Sequence, residues 1–268
     1  MNRRFWGRKS ICLMTGASQN LARHMAQHMA SLLGPQSVLI LTSRQADRLG
    51  PLRQEMYEQN CNLRVHLLEW DLAYPSFDRF VNDLKAIELA YDLRDERFEL
   101  GLIVHNASAL SVIDKPVIEM DDAQSLQELL NINVISMVLT NAAFWKVFKE
   151  SHEKVIVNMA APLTDTNAPS LGLLCVGRTS RQMVLNVLAL ENPEIKVLHF
   201  QPGHLDTSWL HTVMNNAKSE QVKRQLQSMF EENRVLKAEA VAGAFLRYLA
   251  SNEIESGSVV DARQVLRG

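Results

Sequence analysis

Apolar residues in this chain fall into short unbroken runs, separated by longer stretches whose apolar positions recur every three or four residues. The runs at 10–14, 38–41, 63–68, 100–104, 155–158, 195–200 and 258–260 predict strands. The stretches at 21–33, 46–59, 76–91, 125–149, 171–190 and 237–250 predict helices, and Gly34-Pro35 marks the end of the first. Strands that are apolar throughout, rather than alternating, are expected where both sheet faces are buried. Strand and helix in regular alternation predict an α/β fold: a Rossmann-like, doubly wound, mostly seven-stranded parallel sheet flanked by helices. No linker, repeat or low-complexity tract interrupts it, so one domain is expected over 1–268.

Composition fits that picture. The 268 residues are 47% hydrophobic and 22% charged, ample for a core on both sides of a sheet. A formal net charge of -2 argues against nucleic acid and anionic membranes as partners. No apolar run approaches the roughly 20 residues of a membrane span. Arg3, Arg4, Arg8 and Lys9 are too small a cluster to read as a targeting signal. Cys12, Cys61 and Cys175 are odd in number, widely spaced and without metal-ligand spacing, which predicts reduced, buried thiols in a cytoplasmic protein.

Candidate chemistry gathers at the carboxyl ends of the strands. Thr15-Gly16-Ala17-Ser18-Gln19-Asn20-Leu21-Ala22 joins the first strand to the first helix. Such a turn presents free N–H groups and a positive dipole end to phosphate. Gly16 serves the tight turn and Ser18 adds a hydroxyl. Asn20 stands where a second glycine is usual and tolerates a positive φ. Ala22 still permits helix to pack on strand. Arg44, after the second strand, suits the 2′-phosphate of NADP or is a solvated loop residue. Asp71-Leu72 follows the third strand, as an adenine contact or as the start signal of the next helix. Asn106 could bond the neighbouring strand or approach ribose, and His105 reads as a packed side chain.

These residues resemble the short-chain dehydrogenase/reductase family. The likeness rests on Thr15-Gly16-Ala17-Ser18, Asp71-Leu72, Asn106-Ala107, Asn133 and Pro202-Gly203. Within the family, 37–44, the helix from Cys175 to Met183, the loop from Gln201 to Thr207 and the segment Ser256 to Asp261 resemble the sepiapterin reductase subgroup, which reduces pterin side-chain ketones with NADPH. The resemblance implies NADP(H) held by Gly16, Ser18, Asn20, Leu21, Arg44, Asp71, Leu72, Asn106, Arg178, Pro202, Gly203, Leu205 and Thr207. It also implies a pterin or other carbonyl small molecule anchored by Asp261, whose alternative is a solvated aspartate after an edge strand. The two long helices, 125–149 and 171–190, are implied to pack on their copies in a homodimer, or in a heterodimer with an active relative.

One departure changes the functional expectation. Family chemistry draws a proton from a tyrosine, with a lysine four residues on and a serine on the preceding strand end. An asparagine in the long preceding helix organises water behind the lysine. By the resemblance those positions hold Leu174, Arg178 and Ala161, and only Asn133 is kept. Tyr57, Tyr74, Tyr91 and Tyr248 all lie far from this helix in sequence. Arg178 can bond ribose but cannot shuttle a proton, and Leu174 cannot donate at all. Three readings follow: an NADP(H)-binding protein with weak or lost carbonyl reduction, acting as a binding or regulatory subunit; an active reductase with an acid relocated to Thr164, Asp165, Thr166 or Cys175; or a structural partner that has lost the cofactor too.

Overall fold

The computed structural model describes residues 5–109, 112–160, 168–251 and 253–267. Seven strands, β1 (Ser10–Met14), β2 (Val38–Ser43), β3 (Arg64–Glu69), β4 (Phe98–His105), β5 (Ser151–Met159), β6 (Ile195–Gln201) and β7 (Ser258–Asp261), form one sheet in the order β3-β2-β1-β4-β5-β6-β7. Every pairing is parallel. The order reverses between β1 and β4, which opens a crevice beyond their carboxyl ends. β1 and β2 are buried along their whole length, as their unbroken apolar runs require, whereas the edge strand β3 is only half-buried.

Helices cover both faces. On one side α1 (Asn20–Leu32), α2 (Gly50–Gln59) and α9 (Ala238–Ser251) close a core containing Met25, Met29, Leu39, Phe200 and Phe245. On the other, α3 (Phe77–Ala90), α5 (Ser136–Val147) and α6 (Gly172–Glu191) pack on Ile11, Ile40, Ile103, Phe144 and Ile156. A smaller third cluster lies under α7 (Ser208–Asn216) and α8 (Glu220–Glu231), where Leu210, Val213, Val222 and Leu226 meet Leu171 and Leu174. Both helices are capped, by Thr207 and Ser219, and carry their own apolar core.

Several expectations need correction. The helix expected over 125–149 is three pieces: α4 (Ala123–Leu130), a π-helical turn (Asn131–Ile135) and α5. The start of the helix expected over 46–59 is a 3₁₀ turn, Ala46–Leu49. β5 begins four residues before its apolar run, because Ser151 to Lys154 pair with β4 despite their polarity. A short last helix, α10 (Ala262–Arg267), follows β7. Of the thiols, Cys12 is buried, but Cys61 is exposed and Cys175 half-buried. None of the helices in the described residues is long and apolar enough to cross a membrane.

Candidate functional site

The crevice at the strand-order reversal is a cavity of about 1160 Å³. One end is built by the turn after β1. Gly16 has φ +68°, and a Cβ there would lie 3.0 Å from the Cα of Ala107, so only glycine lets this turn approach β4. Asn20 has φ +53°, the left-handed conformation that asparagine tolerates. Thr15 fastens the turn to the end of β4: its Oγ1 accepts from the N–H groups of Asn106 at 3.2 Å and Ala107 at 3.1 Å. Asn106 Nδ2 donates to the carbonyls of Thr15 and Gly16, at 3.3 and 3.2 Å. The first of the two sequence readings of Asn106 therefore holds, and its side chain also lines the cavity.

The start of α1 carries no side-chain cap, a trait it shares with α2 and α6. Ser76, Asp122, Thr207 and Ser219 each cap α3, α4, α7 and α8 with a side-chain oxygen. Gln19 makes no such bond to α1, and no acidic residue occupies its first turn. The opening N–H groups of α1 thus keep their hydrogen-bonding capacity and positive dipole end beside a cavity lined by Ser18, Gln19, Asn20 and Leu21.

Beyond the turn, Arg44 and Arg48 line the cavity and are exposed at its rim. Arg48, four residues on in the 3₁₀ turn Ala46–Leu49, is a lining residue that the sequence reading did not single out. Asp71 and Leu72 line the same end. Asp71 Oδ1 accepts from the Ala73 N–H at 3.0 Å, closing a turn, while the next helix begins at Phe77 under a Ser76 cap. The expectation that Asp71 starts that helix is therefore corrected.

The other end lies between α6 and α7. Leu171, Leu174, Arg178, Arg181, Trp209 and Leu210 form its walls, with Met159 and Ala160 at the end of β5 and Pro202, Gly203, Leu205 and Thr207 after β6. Leu174 is 3% exposed and packs into the core beneath α7 and α8. Arg178 lies over the Trp209 ring, 5.2 Å from its centroid, a cation–π contact of about 0.5–2 kcal/mol. Arg181 is buried: Nη1 donates to the Ala107 carbonyl and Nη2 to that of His105, both at 2.7 Å, and Nε has no partner. Burial and then the charge of Arg178 lower its guanidinium to about 10, so it stays protonated near neutrality. An arginine in mid-helix reads from sequence as solvated, and nothing there foretold this one.

Ala161, Thr164, Asp165 and Thr166 lie outside the described residues. Asn133 is buried behind the cavity, in the π-helical turn; it accepts from Ser108 Oγ at 2.9 Å and donates to the Leu129 carbonyl at 3.1 Å. His105 is buried with Nε2 on Asn141 Oδ1 at 2.7 Å; burial first, then Arg181, drive its pKa down to about 3. It is the packed neutral side chain the sequence suggested.

Asp261 is not brought to the cavity wall. Both of its oxygens accept from the Arg263 guanidinium, Oδ1 from Nε at 3.0 Å and Oδ2 from Nη2 at 2.6 Å, and those bonds hold its carboxyl below the usual range. A carboxylate already paired in this way has little left to offer an amino-pyrimidine edge.

A parallel sheet of this order, with an uncapped helix and an arginine-bearing rim at its switch point, defines an open α/β protein of the nucleotide-crevice type. The family model of the short chain dehydrogenase matches residues 10–218, and the chain belongs to that family. Curated relatives include sepiapterin reductase from Rattus norvegicus, 28% identical over 94% of this chain and 95% of the relative. The enzyme of that name from Meriones unguiculatus is 29% identical with the same coverage. Among solved structures, the oxidoreductase YciK from E. coli superposes with a TM-score of 0.76 at 18% identity, covering 98% of both chains. A short chain dehydrogenase from Escherichia coli CFT073, complexed with NADPH, gives a TM-score of 0.76 at 18% identity over 97% of this chain and 99% of the other.

Proposed function

We propose that this chain is a sepiapterin-reductase-like protein that binds NADP(H) in the crevice and whose carbonyl reduction is weak or lost. The pyrophosphate would meet the N–H groups of Ser18 to Leu21 at the start of α1. Arg44 and Arg48 would take the 2′-phosphate, and Asp71 and Leu72 would lie by the adenine. Arg178 and the loop from Pro202 to Thr207 would hold the nicotinamide half. The bound cofactor supplies hydride; the residues around it supply orientation.

The observation that carries the loss of activity is Leu174. It lines the cavity where the family resemblance places a phenol, and it is sealed into the core under α7 and α8. A positioned acid contributes about 10²–10⁴ in rate, and an oxyanion-type donor such as the serine replaced by Ala161 about 10²–10³. Arg178 can orient ribose but has no proton to cycle.

The competing reading is an active NADPH-dependent sepiapterin or carbonyl reductase with a relocated acid. Its support is the length of the likeness to the sepiapterin reductases. The residue that would anchor a pterin in either reading, Asp261, is paired with Arg263. A homodimer is the assembly we favour: Val176, Met183, Val187 and Leu190 expose one apolar stripe on α6, and Ile135 in the π-helical turn and Val138 on α5 are exposed as well.

A calorimetric titration with NADPH, followed by an NADPH-oxidation assay with sepiapterin and a reactive diketone, tests the proposal. Binding without turnover supports it. Turnover at ordinary enzymatic rates supports the relocated acid, and absence of binding leaves only a structural role.

A further inference from the structure

The 3₁₀ turn between β4 and α4, Val117–Glu119, carries the most exposed large apolar side chain of the described residues. Ile118 is 94% exposed, and Val117 beside it 64%. The turn is nonetheless firmly built. The carbonyls of Pro116 and Val117 accept from the N–H groups of Glu119 and Met120, at 3.0 and 3.2 Å. Across its base Lys115 Nζ donates to Asp121 Oδ1 at 2.9 Å. Just before it, Ile113 is buried in the cluster under α7 and α8, and its carbonyl accepts from the Lys218 N–H at 2.8 Å. A fixed tip that holds two adjacent apolar side chains in solvent marks an interaction surface.

That tip is in line with the exposed stripe of α6. A Cβ on Gly172 would lie 2.5 Å from Val117 Cγ2, so the turn rests on the start of α6, on the side that Gly172 faces. Leu190, 81% exposed, stands eighteen residues further along the same helix. Eighteen residues make about five turns, so Gly172 and Leu190 share one line of the helix, with Val176, Met183 and Val187 close beside it. The two most exposed apolar side chains of the described residues thus mark the two ends of one stripe. The 20 residues of α6 span about 30 Å, and a stripe about 10 Å wide offers only about 300 Å². A stable dimer buries about 800 Å² on each copy. Pairing of α6 alone falls short; Ile135 and Val138 widen the apolar surface, and the Val117–Ile118 tip prolongs it.

A second copy related by a two-fold axis covers both ends at once. With the axis level with residue 181, antiparallel α6 helices set Thr179 against the partner's Met183 and Val176 against the partner's Val187. The same operation sets the tip above Gly172 against the partner's Leu190. A head-to-tail contact would cover one end and leave the other open to a further copy. Glu119 and Glu191, at the two ends, are exposed, so their carboxylates stay in solvent beside an apolar contact. We propose that the turn Val117–Glu119 is an exchanged hook: Ile118 of each copy packs on the partner's Leu190 across a two-fold α6 interface. The proposal rests on the homodimer reading and names the contact that completes it.

Cross-linking of the full chain tests it, with Cys61→Ser and Cys175→Ala throughout to remove the accessible thiols. The double variant Ile118→Cys, Leu190→Cys, treated with a short bis-maleimide, should run as a covalent dimer on a denaturing gel. Either single variant should stay monomeric there, because the hook meets Leu190 and not its own counterpart; the two single variants mixed should cross-link. In light scattering Ile118→Glu should raise the dimer's dissociation constant by about tenfold or more, while circular dichroism shows the fold retained. Single variants that cross-link as readily as the double, or a dimer that Ile118→Glu leaves equally tight, overturn the proposal. A natural chain that scatters as a monomer defeats the homodimer reading and the hook with it. A natural dimer whose double variant gives no cross-link defeats the hook alone.

Discussion

The Cβ that Gly177 lacks would lie 3.2 Å from the Cβ of Asn133 and 3.3 Å from its Nδ2. Helix α6 therefore rests directly on the π-helical turn that carries Asn133. Asn133 cannot easily retreat, because Ser108 and the Leu129 carbonyl hold both ends of its amide. The contact sets how deeply α6 sits, and with it the placement of Leu174 and Arg178 on the cavity wall.

Gly177→Ala should therefore destabilise the protein although alanine favours helix. The propensity gain is about 1 kcal/mol, against an overpacking cost of about 1–3 kcal/mol, for a net loss of about 1 kcal/mol. Asn133→Ala in the same chain should recover most of the overpacking term. Urea midpoints of the four proteins in a double-mutant cycle measure the coupling; additive effects would mean the two residues do not press on each other.

Arg44 should decide between the two dinucleotides. Arg44→Ala should weaken NADPH binding by about 10- to 100-fold, the scale of a charged hydrogen bond, with little change for NADH. If Arg48 shares the phosphate, the double variant should lose more than the single. Calorimetry with both nucleotides gives the answer, and equal losses for NADPH and NADH would remove Arg44 from phosphate recognition.

Restoring the family's polar set should raise turnover. The triple variant Ala161→Ser, Leu174→Tyr, Arg178→Lys is expected to gain about 10²–10⁴ in NADPH-dependent diketone reduction over the natural chain. Leu174→Tyr alone should gain less, since groups that act as a unit are not additive, and it should also lower stability by disturbing the core under α7 and α8. Fast turnover by the natural chain that Leu174→Tyr leaves unchanged would instead favour an acid elsewhere.

Much of the fold was legible in the sequence because buried parallel strands announce themselves as apolar runs. Ser10–Met14 and Val38–Ser43 are clear examples, and Gly16 and Asn20 marked the turn by the conformations they permit. Asn131–Ile135 was not legible: one extra residue in a helical turn leaves the apolar spacing almost unchanged. Ser151 to Lys154 were missed because strand pairing there overrides polarity. Arg181 and the Asp261–Arg263 pair were hidden for a different reason. Whether a charged side chain faces solvent, a carbonyl or a neighbour two residues away depends on packing that no local pattern encodes.

The exposed stripe on α6 makes a prediction about assembly. Val176, Met183, Val187 and Leu190 recur at spacings that place them on one side of the helix. Met183→Glu with Val187→Glu should leave the fold intact, because both positions are exposed, yet shift a dimer to monomer in light scattering. A natural chain that scatters as a monomer would show that the stripe serves another surface.

Stability should fall as the solution becomes acid before the carboxylates are protonated. His105 and His199 are both buried, each bonded to asparagine: His105 Nε2 to Asn141, and His199 to Asn158 and Asn186. Burial, followed by the charge of Arg181, lowers their pKa values to about 3 and about 4. The unfolded chain takes up protons on these imidazoles near pH 6.5, while the folded chain leaves them neutral. Below about pH 6.5 the unfolded state therefore binds more protons and gains on the folded one, by up to about 1.4 kcal/mol per pH unit for each histidine, until the folded values are reached. Asp261 and Glu153, whose carboxyls lie below their usual range, add the same sign only at lower pH. Urea midpoints between pH 7 and pH 5 should thus decline steadily, and His105→Gln should reduce the slope by about one proton's worth. A flat profile over that interval would mean that the folded protein can charge these histidines, against the neutral packing their burial implies.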